Sequence, residues 1–122
     1  MTNREIDALV AEKLMGWKKY PANSPENKMD FDQWVGEDQR VVPQTEPPPY
    51  STNISDAWIV VEKMKKDWLI LIDNDKSGKW DAFFKHMTAE DKSYTSFNQE
   101  SAPMAICLAA LKSFGVTIEE KE

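Results

Sequence analysis

Trp68-Leu69-Ile70-Leu71-Ile72 is a run of five apolar residues bounded by charged ones, and no other segment restricts the fold as much. A strand with one wet face would alternate; an unbroken run predicts a strand covered on both faces. A polar turn, Asp73 to Lys79, leads into a second such segment, Lys79 to Met87. There Trp80, Ala82 and Phe84 fall on one face, Phe83 and Met87 on the other. Strands joined by so short a turn run antiparallel. The sequence therefore predicts two neighbouring ribbons with helices packed on opposite sides of them.

The rest of the chain supplies those helices. Asn53 is a capping residue, and Ile54, Ala57, Trp58, Val61 and Met64 follow at helical spacing. The expectation is a helix over about 53–66 with that stripe in the core. Thr2 with Glu5 three residues later has the capping-box form, and Gly16 sits where a left-handed C-terminal residue belongs. This predicts a helix over about 3–15. Met104 to Leu111 is apolar all round, as a buried helix is. With Ser101 as cap, Pro103 in the first turn and Gly115 beyond, the helix is placed at about 102–114. Strands are placed at about 67–73, 79–87 and 92–98. The fold class is α+β: a three-layer α-β-α sandwich on a mainly antiparallel sheet.

Residues 18–47 break this regularity. Pro21, Pro25 and Pro43 punctuate them. Phe31 to Val35 alternates as a half-buried strand would, and Arg40-Val41-Val42 is its expected return strand. The chain of 122 residues is thus read as one domain over 1–122, with an irregular or small-hairpin insertion at about 18–47.

The formal net charge is −6. That argues against nonspecific nucleic-acid binding, which needs a basic field. The one cysteine, Cys107, lies within the apolar helix and has no internal disulfide partner, which fits a reducing cytoplasm. No apolar run approaches the roughly 20 residues of a membrane span, and no signal peptide is visible. A location in the host cell cytoplasm is the expectation.

Three pieces carry a family resemblance: Met15-Gly16-Trp17 at the end of the first helix, PPYSTNISDAWIVVEKM at 48–64, and APMAICLAALKSFGV at 102–116. With Trp80 of the hairpin, they make the chain similar to the phage ABA sandwich domain family, small proteins of tailed phages and prophages. The resemblance covers most of the chain and is weakest between Lys18 and Pro47. It implies an α-β-α sandwich. It brings no catalytic residue, cofactor or activity to these positions.

Asp73-Asn74-Asp75-Lys76-Ser77-Gly78 copies the start of an EF-hand loop, but Phe84 stands where a bidentate Glu belongs, and a hairpin turn is the simpler reading. No metal site is expected. His86, the one histidine, has no adjacent carboxylate to orient it, so no catalytic residue is assigned. The favoured ligand site is the arm Tyr50-Ser51-Thr52-Asn53. Three prolines stiffen it, a helix N-terminus follows it, and Trp17, Trp34 and Trp80 are candidate walls. The commoner reading of such a stretch, and the one preferred for it, is a capped helix start with Tyr50 packed on the core.

These readings favour a noncatalytic phage or prophage accessory protein without a cofactor. It would bind a host protein or a small molecule and interfere with a host process such as antiviral defence. A small enzyme using His86 with Asp81 or Glu90, and a structural or assembly protein, are the alternatives. A homodimer is left open by the edge strands.

Overall fold

A computed structural model describes residues 2–36, 46–89 and 92–116. The chain is α+β, with three α-helices and two antiparallel sheets among the described residues. Helix α1 (Asn3–Leu9) runs into a π-helical turn, Val10–Leu14. Strands β1 (Lys18–Tyr20) and β2 (Gln33–Val35) form a small sheet. Helix α2 (Ile54–Met64) precedes β3 (Trp68–Asn74), β4 (Trp80–His86) and β5 (Ser93–Gln99), and α3 (Ala102–Ser113) closes the order.

Helix starts are set by the caps anticipated from sequence. The Thr2 hydroxyl accepts from Glu5 N at 3.2 Å. Asn53 Oδ1 accepts from Ser55 N and Asp56 N at 2.9 and 3.2 Å, and Ser101 Oγ accepts from Met104 N at 3.3 Å. Each satisfies a first-turn N–H that the helix itself leaves unpaired. At the other ends Gly16 and Gly115 take φ of 73° and 79°, a conformation that disfavours any Cβ.

The larger sheet has the order β3-β4-β5, all antiparallel. Its inner face carries Trp68, Ile70, Ile72, Ala82, Phe84, Tyr94 and Ser96, which follow one another across the register. Helix α3 lies on β4 and β5, and α2 packs against α3 rather than onto the sheet. Ala105 to Leu111 are buried without exception, which is why α3 is apolar all round.

Two expectations are overturned by the burial pattern. The strands are shielded on one face only: Leu69, Leu71 and Phe97 are half or more exposed on the outer face, at 50%, 56% and 60%. An apolar run signals burial but does not say what supplies the cover. In α2, Val60 is buried, whereas Ile54 and Trp58 stay half exposed, because the helix rests on α3 with its sheetward flank open. In the insertion, β2 pairs with Lys18–Tyr20 (Lys19↔Trp34), and the expected return strand Arg40-Val41-Val42 lies outside the described residues. The buried Asn27 ties this insertion together: its Nδ2 donates to Tyr20 O at 2.9 Å and Phe31 O at 2.8 Å.

Candidate functional site

The proline arm turns inward. Tyr50 N donates to Pro48 O at 2.9 Å and Asn53 N to Pro49 O at 3.0 Å, so the chain turns sharply before α2. Tyr50 is 2% exposed and belongs to the core cluster. Burial pushes the Tyr50 pKa up to about 12, against a smaller opposing effect of the Trp17 side chain. Ser51 is buried too: its N–H donates to Asp7 Oδ1 at 2.7 Å and its hydroxyl to Asn3 O at 3.3 Å. Asp7, itself buried, thereby anchors the arm to α1 across 44 positions.

This geometry gathers four of the seven expected site residues at the core and sends the other three to separate places. Tyr50, Ser51, Trp17 and Trp34 pack in or against the core. Trp17 lies over Gly36, where a Cβ would meet its ring at 3.3 Å; the Trp34 ring has the Lys19 ammonium 5.9 Å from its centroid. Asn53 spends its side-chain oxygen on the α2 cap, which occupies the N–H groups an anion would need. Of the arm, Thr52 alone reaches an open cleft of about 330 Å³, shared with Asn3, Arg4, Asp7 and Pro49. Its rim carries the Arg4–Glu46 ion pair at 3.3 Å. Asp56 in the first turn of α2 is held above the usual carboxylate range by burial and by the charge of Asp7.

Trp80 belongs elsewhere. It stands at one end of a groove of about 760 Å³ between α2 and β3. Ile54 and Trp58 form the helical wall, Ile70, Leu71 and Ile72 the strand wall, and Pro103 and Ile106 the floor. Sequence reasoning assigned Ile54 and Trp58 to the core, since helical spacing alone does not reveal that the sheet ends before it reaches them. The outer sheet face is the second apolar surface. Leu69, Leu71, Phe83 and Phe97 cluster there, with Lys85 at one end and Asp73 and Asp81 at the other. Phe97 is displaced toward solvent by a bulge, in which Asn98 takes φ 57° and donates its N–H to Asp81 Oδ1 at 2.9 Å.

His86 is held in a turn. Its Nδ1 accepts from Ala89 N at 3.0 Å and Thr88 N at 3.3 Å, which leaves the proton on Nε2. Its ring meets Trp68 edge-on at 4.9 Å. Asp81 lies five residues along β4, about 16 Å away, and on the other face, so the two cannot share a proton. Glu90 lies outside the described residues. In the EF-hand-like turn, Asp75 Oδ1 accepts from Ser77 N at 2.9 Å and Lys79 N at 3.1 Å, and Gly78 takes φ 85°. That is a hairpin turn closed on its own carboxylate. Among the described residues no group of three or more His, Cys, Asp or Glu could hold a metal ion, and no helix is long and apolar enough to cross a membrane.

Comparison with curated proteins and with solved structures gave no match. The model of the phage ABA sandwich domain does match, over residues 8–111, a span that runs from the end of α1 through every later element into α3. With its buried α3 against an antiparallel sheet, the chain belongs to the phage ABA sandwich domain family.

Proposed function

We propose that this phage protein is a noncatalytic accessory, phage- or prophage-encoded, that works as a binding module in the host cytoplasm. Its partner is a host protein, and its effect is interference with a host process such as antiviral defence. The outer face of the large sheet is the observation that carries the reading. Leu69, Leu71, Phe83 and Phe97 make a contiguous apolar surface, and surfaces of this kind on small proteins mark contact sites. An exposed sheet face suits a protein surface better than a small molecule, which binds in concave sites.

The test is capture of host proteins on the immobilised chain, with Phe97→Lys beside it. Phe97 is 60% exposed, so the variant keeps its melting temperature. A host protein retained by the wild type and lost from the folded variant supports the reading. The same proteins retained on both would refute it. A small-molecule ligand would instead occupy the groove beside Trp58; a metabolite that raises the melting temperature, and no longer does so in Trp58→Ala, would favour that second reading.

A further inference from the structure

The sheet is one strand narrower than the helical layer above it. Helix α2 extends beyond β3, and its Ile54 and Trp58, 52% and 48% exposed, look onto the gap where a next strand would run. The β3 edge is open in the same place. Met87 N donates to Asp67 O at 3.0 Å, so odd-numbered residues of β3 bond to β4 and even-numbered ones face outward. The backbone groups of Trp68, Ile70, Ile72 and Asn74 thus point away from β4, and among the described residues no other strand takes them up.

The two edges of the sheet differ in protection. Edge strand β5 is polar at Ser93, Thr95, Ser96, Asn98 and Gln99 and carries the bulge at Asn98, devices that discourage further pairing. Edge strand β3 has none of them from Trp68 to Ile72: no proline, no charge, no bulge. We infer that the groove and the β3 edge are filled by β3 of a second copy of this chain, antiparallel about a two-fold axis at Leu71.

This register pairs all seven residues of the strand with their counterparts and allows about eight new backbone hydrogen bonds. Ile70 and Ile72 of each copy come to lie beneath the partner's overhanging Ile54 and Trp58. On the outer face, Lys85 and Leu69 of one copy share a row with the other copy's Asp73 and Asp81. The charges at the two ends of that face are therefore complementary under the two-fold.

The inference goes beyond the host-protein reading, and it also enlarges the surface that reading uses. Three strands of seven residues offer a face of about 330 Å², less than half of what one partner contributes to an ordinary stable interface. A continuous six-stranded sheet doubles it.

Sedimentation of the full chain between about 1 and 100 µM tests the assembly without any host partner. A dimer is expected. Leu71→Lys, exposed in the monomer and on the two-fold axis of the dimer, weakens association roughly a hundredfold with the melting behaviour of the monomer unchanged. Lys85→Asp weakens it less, and adding Asp73→Lys restores it. Phe97→Lys leaves the dimer intact while abolishing capture of host protein, so the two readings fail separately. A monomer throughout the range, or a dimer that resists Leu71→Lys, overturns the inference. So does a dimer lost in Phe97→Lys, which would indicate sheet-face packing instead.

Discussion

Replacing Asp7 by alanine tests the claim that the proline arm is held from α1. The carboxylate takes the Ser51 N–H at 2.7 Å, and both residues are buried, at 7% and 1% exposure. Truncation leaves that N–H without a partner in a dry site, at a cost of about 1–3 kcal/mol. Relief of the unfavourable charge effect on Asp56 offsets a fraction of it. A net loss of about 2 kcal/mol is expected, or roughly 8 °C in melting temperature for a domain of this size. Asp7→Asn keeps an acceptor oxygen in place and should lose less than about 1 kcal/mol. Urea titration followed by tryptophan fluorescence measures both, since the slope reports whether the unfolded state has changed. The same test predicts that Asn at position 7 lowers the Asp56 pKa, because a like charge is gone. The reasoning fails if alanine costs under about 0.5 kcal/mol, or if asparagine costs as much as alanine.

Other substitutions and conditions probe the core. Tyr50 has its folded pKa raised above the unfolded value of 10.0 to about 12, so its contribution is complete below pH 10 and is lost as pH climbs toward 12. A Tyr50→Phe variant should therefore show a shallower alkaline decline in stability, by about 2–3 kcal/mol across that window. Ser96 is fully buried and its hydroxyl has no partner among the described residues; Ser96→Ala should raise stability by about 1 kcal/mol in a thermal melt. Phe84 is fully buried under α3, and Phe84→Ala should cost about 3–5 kcal/mol in urea.

What was legible in the sequence was local. Thr2, Asn53 and Ser101 cap their helices because a capping oxygen acts within three residues of itself. The all-round apolar stretch from Met104 could be nothing but a buried helix, and the turn at Asp75 and Gly78 fixed the β3–β4 pairing. What was missed depended on distant partners. Lys18-Lys19-Tyr20 carries no apolar signal of its own and becomes a strand by pairing with Gln33–Val35. Tyr50 at the end of three prolines suggests an outstretched aromatic; that it inserts into the core depends on Asp7 and Trp17, from another helix end. The hydrophobicity of Leu69 and Leu71 was plain, but hydrophobicity does not distinguish a neighbour in the same molecule from one in another.

The wide turn at Val10–Leu14 has a directional consequence. Met15 N reaches back to Val10 O at 3.1 Å, so five residues complete a circuit that an ordinary helix closes with one fewer. Each residue of an α-helix advances the azimuth by about 100°. The extra residue acts like a twist in a key shaft: Leu14 can lock into the core while Asp7 still emerges on the side where the Ser51 amide waits.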